Sequence, residues 1–405
     1  METIQVERVG VRHHRVVVVS AIGITQTLAW ASTYYIPAVF ADTISAELRL
    51  SHAWFFGVFS AALLLSGVLG PWAGRTIDRR GGRDVLAATN LVFAAGLLLL
   101  SQASGLVGLV LAWFVIGVGM GFGLYEAAFA TVTGLYGLKT RNAITGITLF
   151  AGFSSTVGWP TSAFLLDALG WRGACVVWAA LHLLIGLPLN RLLVPKAPPI
   201  PPIEAADEAA PATAVPWTMI ILAAVFGAMW FVTTAYAAHL PRLLEALGAS
   251  AATAVLAGSL VGPAQVTARV VEFTLLKRTS PMLSARLSTV LHPIGAALLM
   301  LFGPVLAVPF VLLHGGGNGL LTIARGTLPL AMFGPAGYGL RTGLLAAPAR
   351  ILQGAAPLLF GLILDRYGPV PALLMSSFLT GGSFLALLTL HAGAKSNLAQ
   401  GGASH

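Results

Sequence analysis

Five charged side chains stand inside long apolar runs of this sequence: Glu126, Arg269, Glu272, Arg325 and Arg350. Burying an ionisable group in hydrocarbon costs at least about 2.5–3.5 kcal/mol, so each of them needs a partner, a ligand or an escape to the surface. Arg269 has Gln265 one turn before it and Glu272 one turn after it. All three share one helical face, which fits either an internal Arg269–Glu272 pair or an arginine that binds an anion. Arg350 has Gln353 a turn away and no acid within four residues. Its charge must be met by a substrate or by another helix, with Glu126 the candidate counter-ion. Glu126 is in turn either a proton carrier or the partner of an arginine. Arg325 lies near the end of its run and is expected to snorkel to lipid headgroups. His314, Asn318 and Thr322 recur at four-residue steps and form a polar stripe. Gln26, Trp30, Thr33 and Tyr34 share a face of the first run, with Trp230, Thr233 and Thr234 in a corresponding place later on. Arginine beside aromatic and hydroxyl groups is the chemistry of orienting a small organic anion. His182 and His292 stand alone on apolar helices and read as packing or hydrogen-bonded residues.

The composition dictates what holds these residues. The chain has 405 residues, of which 57% are hydrophobic and 9% charged. A soluble protein carries about a quarter charged residues, so the sequence is that of an all-α integral membrane protein. Runs long enough to span a bilayer fall at roughly 16–40, 52–72, 84–102, 106–132, 143–166, 173–192, 216–238, 251–272, 287–303, 305–325, 342–363 and 370–391. The first follows Arg12-His13-His14-Arg15 and is too long for a cleaved signal, so it reads as a retained helix.

With both termini cytoplasmic, Arg8, Arg12, Arg15, Arg75, Arg79, Arg80, Arg83, Lys139, Arg141, Arg191, Lys196, Lys277, Arg278, Arg286, Arg341 and Lys395 lie inside. Only Arg49, Arg172, Arg242 and Arg366 lie outside, as the positive-inside rule demands. The same rule accounts for the net charge of +9 without nucleic acid. The stretch 193–215 is rich in proline, alanine and acid and reads as a cytoplasmic linker. It separates an N-terminal bundle of six helices (1–192) from a C-terminal one (216–405). The halves also echo each other. Gly70-Pro71 answers Gly262-Pro263, Asp167 with Gly170 answers Asp365 with Gly368, and Trp30 with Thr33 answers Trp230 with Thr233. Six-span halves related by duplication are an architecture of alternating-access transporters.

Between the second and third runs lies Gly74-Arg-Thr-Ile-Asp78-Arg79-Arg80-Gly81-Gly82-Arg83. Gly74, Asp78, Arg79, Gly81 and Arg83 match the G-x-x-x-D-R-x-G-R pattern of the major facilitator superfamily, which the chain resembles over its whole length. It departs at Gly82, where the family usually has arginine. Gly158-Trp159-Pro160 is similar to the Gly/Pro element in helix 5 of the superfamily's antiporters. The resemblance implies a cytoplasmic gate in which Asp78 caps the N-terminus of helix 11 near Tyr338-Gly339, and a central cavity lined by helices 1, 4, 7 and 10. Arg269 and Arg350 occupy places similar to those of basic residues in the bacterial oxalate:formate antiporters, and the monocarboxylate transporters also have a helix 8 arginine.

The expected function is therefore secondary transport of a small, carboxylate-like anion, driven by protons or by exchange, in a multi-pass protein of the bacterial cytoplasmic membrane working as a monomer. The substrate contacts expected are Arg269, Arg350, Trp30, Tyr34, Gln26, Trp230, His314, Asn318 and Gln265, with Glu126 the proton-coupling group. The alternative is proton-coupled drug efflux with Glu126 as proton carrier. Cys175 is the single cysteine, and no H-E-x-x-H or G-x-S-x-G occurs. No metal, cofactor or catalysis is expected.

Overall fold

The computed structural model describes residues 2–196 and 217–390. Most of the stretch 193–215 and Lys395 lie outside these residues, as do the side chains of Arg8, Arg12, Trp159 and Lys277. Every regular element among the described residues is a helix. In chain order they are α1 (Glu2–Ser32), α2 (Pro37–Leu48), α3 (His52–Arg80), α4 (Gly82–Ser101), α5 (Leu106–Gly123), α6 (Tyr125–Tyr136), α7 (Arg141–Ala151), α8 (Ser154–Leu181), α9 (Trp217–Ala246), α10 (Ala251–Ser259), α11 (Val261–Thr274), α12 (Pro281–Phe302), α13 (Ala307–Phe333), α14 (Tyr338–Tyr367) and α15 (Pro369–Thr389). Among the described residues nine stretches are long and apolar enough to cross a membrane, of which Leu106–Leu193 and Pro281–Phe333 far exceed one crossing. Trp54, Trp72, Phe114, Phe164 and Phe378 are exposed on the outside, where water would penalise them and lipid does not.

The apolar runs are less continuous than their composition suggests. The first bends after Ser32 and resumes as α2 at Pro37, because proline has no N–H to continue the helical ladder. The fourth breaks at Leu124, whose backbone is extended between α5 and α6. Four glycines in the preceding turns, Gly117, Gly119, Gly121 and Gly123, weaken the helix there. The fifth breaks at Gly152-Phe153 and the eighth at Leu260.

The internal echo has a conformational counterpart. Gly170 (φ 68°, ψ 168°) and Gly368 (φ 84°, ψ −177°) turn the chain with the same backbone geometry, one closed to residues with a Cβ. Buried side chains form one core running from Val18 to Val194, joined by Leu330 and Tyr338. Two further cores lie between Met219 and Leu390.

Close approach between α3 and α14 joins the early and late residues. Gly70 and Gly74 of α3 face Gly343 and Gly339 of α14, and a Cβ at Gly74 would collide with the Gly339 backbone. Small residues of this kind let membrane helices pack backbone to backbone.

Candidate functional site

Asp78 stands in the last turns of α3, and its two carboxylate oxygens accept from the backbone N–H groups of Gly339 and Leu340, each at 3.0 Å. These are the second and third residues of α14, whose N-terminal N–H groups have no partner within the helix. A carboxylate there also opposes the positive end of the helix dipole. Gly81, with φ 80°, closes α3 and opens α4. Gly82 leaves the space in which Thr131 of α6 sits, so the departure from arginine has a packing counterpart. Arg79 lies in the exposed last turn of α3. Arg83 bonds Asp84 at 3.1 Å, and Asp84 also pairs with Arg191.

A second clamp lies at the same end. Glu272 of α11 does not pair with Arg269. It takes Arg141 of α7 at 2.7 Å and Thr145 at 3.3 Å, while Arg141 also reaches the carbonyls of Leu276, at 2.9 Å, and Thr279. Spacing within α11 allowed the internal pair, but α7 supplies a cation that bonds carboxylate and carbonyls together. Two ion pairs at the opposite end each stay within the early or within the late residues. Glu47 holds Trp171 and Arg172, and Arg242 pairs with Asp365.

The remaining charges meet between these clamps and that end. The break at Leu124 makes Glu126 the second residue of α6. It pairs with Arg325 and, at 3.5 Å, with Arg350. Arg325 therefore does not snorkel. Its side chain is 10% exposed and its guanidinium lies 4.6 Å from the Trp230 ring, because a carboxylate and an indole face inside the bundle outcompete the headgroups. Arg350 sits 5.9 Å from the rings of both Trp30 and Trp230 and bonds Gln353 at 3.3 Å. Gly67 of α3 leaves room for its stem. Gln353 donates to the Tyr34 hydroxyl at 2.9 Å. Tyr34, Trp30, Tyr125 and Phe129 form a chain of rings with successive centroids 5.0–5.2 Å apart. A small cavity beside Glu126 and Arg325 is also lined by Phe129, Phe226 and Thr342.

Arg269 is different. It is 5% exposed, and among the described residues no carboxylate pairs with it. Its guanidinium makes only long bonds, to Thr148 O (3.3 Å), Gln265 Oε1 (3.3 Å) and Thr322 Oγ1 (3.4 Å), and Nε has no acceptor. Gly152, at the break before α8, leaves room for it. Trp30 Nε1 and Trp230 Nε1 are likewise buried donors without acceptors.

The other expected contacts fall in two groups. Gln26 donates to the Gly123 carbonyl at 2.6 Å, capping the end of α5, with its Oε1 unbonded. His314 and Asn318 are withdrawn into a network with His292 and Thr233. Reading the sequence missed Arg325 and Arg141 as bonded partners, whereas His292, expected to pack or to hydrogen-bond, bonds His314 and Ser376. Arg325 continues the stripe of Asn318 and Thr322, which was the available signal.

The profile of the Major Facilitator Superfamily matches residues 22–347. The chain belongs to the major facilitator superfamily. Members of that superfamily are multi-pass membrane transporters, and the nine apolar stretches among the described residues fit that class. The chain is 31% identical over 153 residues to the 4-hydroxybenzoate transporter PcaK of Pseudomonas putida, covering 37% of this chain and 33% of that one. It is 28% identical over 134 residues to monocarboxylate transporter 2 of Homo sapiens, covering 32% and 27%. The chain thus spans about a third of the length of the curated relatives it matches. Solved superfamily structures share the fold. The proton:xylose symporter XylE superposes with TM-score 0.75 at 13% identity, over 94% of this chain and 96% of that one. The human organic anion transporter MFSD10 does so with TM-score 0.68 at 15% identity, over 92% and 99%.

Proposed function

We propose that this superfamily member carries a small organic anion, of the carboxylate class, across the bacterial cytoplasmic membrane by alternating access. The observation that carries the reading is buried positive charge: Arg325 and Arg350 share one carboxylate, Glu126, and Arg269 is buried with no carboxylate bonded to it among the described residues. Buried charge is tolerated when it is matched, and an entering anion supplies the match. Arg269 is its first contact, since no internal carboxylate competes for it. Arg350 is the second, exchanged from Glu126 to the substrate. Trp30 and Trp230 offer N–H donors, Tyr34, Gln26 and Gln265 complete the wall, and Asn318 and His314 lie behind it. Glu126 released from Arg350 is still held by Arg325, and it takes a proton when that pair opens as well. The names of PcaK, monocarboxylate transporter 2 and MFSD10 point to organic anions and favour this class over cationic drugs.

We read the nine apolar stretches as twelve crossings, Leu106–Leu193 holding three and Pro281–Phe333 two. They form bundles 1–192 and 216–405 joined by a cytoplasmic linker, with both termini inside. On that orientation the Asp78 and Arg141 clamps shut the cytoplasmic side, and substrate enters from outside. A monomer suffices, since all these residues come from one chain.

Equilibrium binding tests the class. In thermal unfolding of the detergent-solubilised protein, 4-hydroxybenzoate, lactate or oxalate should raise the midpoint. A ligand at a hundred times its Kd adds about 2.7 kcal/mol. Tetraphenylphosphonium should leave the midpoint unchanged. Stabilisation by the cation and by none of the anions would support drug efflux instead.

A further inference from the structure

Away from the arginines, the late residues bury a chain of hydrogen bonds whose direction can be worked out. Ser376 Oγ has one proton and lies 3.0 Å from the Leu373 carbonyl, an acceptor only. With that proton given to Leu373, Ser376 accepts from its other neighbours, the Tyr236 hydroxyl at 2.9 Å and His292 Nε2 at 3.0 Å. With its proton on Nε2, neutral His292 has a lone pair on Nδ1. His314 Nδ1, 2.9 Å away, must then be the donor. That leaves His314 Nε2 to accept from Asn318 Nδ2 at 3.2 Å, and Asn318 Oδ1 to accept from Thr233 Oγ1 at 2.8 Å. The chain runs one way, from Thr233 through Asn318, His314 and His292 to Ser376, with both histidines neutral.

The same atoms satisfy a second state. Thr233 Oγ1 has an alternative acceptor in the Met229 carbonyl at 2.9 Å. If Thr233 turns to it and the Asn318 amide flips, Asn318 Oδ1 faces His314 Nε2 and Asn318 Nδ2 faces Thr233 Oγ1. His314 Nε2 can then carry a proton and donate it, while Nδ1 still donates to His292. One proton is added and no hydrogen bond is lost. A buried histidine that only packs has no need of a partner set that works in both protonation states.

The surroundings set when that proton is held. Tyr236 of α9 lies 4.7 Å from the His314 ring and 5.0 Å from the His292 ring. His239 of α9 bonds the Pro357 carbonyl. α10 and α15 contain no charged residue. Arg286 of α12 is held by the Leu387 and Leu390 carbonyls. The other charged groups on neighbouring helices are Arg141 of α7 with Glu272 of α11, Arg269 of α11, Arg325 of α13 with Glu126, Arg350, Arg341 and Arg366 of α14, Asp365 of α14 with Arg242 of α9, and Glu245 of α9. Among the described residues no carboxylate bonds the pair, so a proton there needs an anion brought from outside.

The stripe on α13 supplies the connection. Thr322 donates to the Asn318 carbonyl at 3.0 Å and accepts from Arg269. We propose that the His292–His314 pair is a proton-binding site, reached through Thr233 and Asn318 and loaded together with the anion held at Arg269. The proposal rests on the anion-transport reading. It adds to Glu126 a proton site that does not require breaking an ion pair. His314 and Thr322 are two helical turns apart, about 12 Å. At an effective dielectric of about 20, a unit charge at that distance changes the affinity for an opposite charge about tenfold. By linkage, proton and anion favour each other equally.

Two measurements test it. In protein labelled with ¹⁵N-histidine and reconstituted in phosphatidylethanolamine/phosphatidylglycerol vesicles, solid-state NMR between pH 8 and pH 5 with 4-hydroxybenzoate should show one imidazole pair becoming cationic. Those signals should be absent from His314→Gln. A pair that stays neutral throughout overturns the proposal, whether or not the anion is transported. In flux assays, His292→Gln keeps an acceptor for His314 and a donor for Ser376 but is a poorer base. Accumulation of 4-hydroxybenzoate driven by a pH gradient should fall about tenfold, while counterflow exchange stays within about twofold of wild type. Undiminished accumulation assigns coupling to Glu126 alone and overturns the proposal. Wild-type protein that moves no carboxylate refutes the anion reading instead, and the NMR result still decides the proton site.

Discussion

Glu126→Gln should destabilise the protein more than any other single substitution among the central residues. It leaves Arg325 and Arg350 buried together with no counter-charge, and removing one partner of a buried ion pair costs about 3–5 kcal/mol. The expected readout is a large drop in the unfolding midpoint of the solubilised protein. Arg325→Gln added to Glu126→Gln should recover part of that loss, because it removes one of the two orphaned charges. The coupling between the two substitutions should exceed about 1 kcal/mol, as befits groups in direct contact. Additive effects would show that Glu126 and Arg325 are not partners in the folded protein. The pair joins residues 199 positions apart in the chain, so its loss should also loosen the early residues from the late ones. Added 4-hydroxybenzoate should protect Glu126→Gln more than wild type, since an anion can occupy the place the carboxylate left.

The second large effect is expected at Asp78. Its carboxylate accepts two backbone N–H groups at the start of α14. Hydrogen bonds to a charged group contribute about 1.5–3 kcal/mol each, and these exist only while α3 and α14 are in contact at this end. Asp78→Ala should therefore shift the equilibrium away from the closed arrangement by about a hundredfold, taking roughly half the gross value of two bonds. Asp78→Asn keeps one good acceptor and should shift it less. Electron–electron distance measurements between spin labels at the exposed positions Arg80 and Ala331, in a Cys175→Ala background, would read this directly. Wild type should give one short distance. Asp78→Ala should give a longer, broader distribution, and Asp78→Asn a mixture. Identical distributions in all three proteins would mean that the contact follows closure rather than holding it. The paired glycines bear on the same equilibrium. Closure requires contact between Gly74 and Gly339, so the latch acts on an interface that is already complementary in shape.

The Asp78 contact was anticipated through the resemblance to the superfamily motif, which implies a carboxylate capping the start of helix 11 near Tyr338-Gly339, and not from any spacing that names the partner. The helical architecture was legible in the chain itself: hydrocarbon forces every backbone polar group into a helix, so apolar length alone reports it. The partners of the central charges were not legible. Glu272 had an arginine a turn away and chose Arg141, 131 positions distant. Arg325 looked like a residue free to reach the surface and is tied to Glu126 instead. Which helix faces which at a given depth is decided by packing across the whole molecule, and no local spacing encodes it. The break at Leu124 is an intermediate case. Its glycines are visible in the sequence, but their effect on Glu126 depends on Gln26 capping the freed carbonyl of Gly123. The histidines illustrate the same point, since two isolated residues on separate helices became a bonded pair only once α12 lay against α13.

The central claim is that a cation excess among buried arginines binds an organic anion, with Arg269 its dedicated contact. Uptake of radiolabelled 4-hydroxybenzoate, lactate and oxalate into proteoliposomes, by wild type and by Arg269→Gln, tests it most directly. Wild type should transport at least one of the three. Arg269→Gln should lose at least about a hundredfold in rate at low concentration, two charge-assisted bonds being worth about 3 kcal/mol or more, while its unfolding midpoint stays close to that of wild type because no ion pair is broken. Retention of carboxylate flux by Arg269→Gln, or transport of cationic dyes but none of the three anions by wild type, would contradict it.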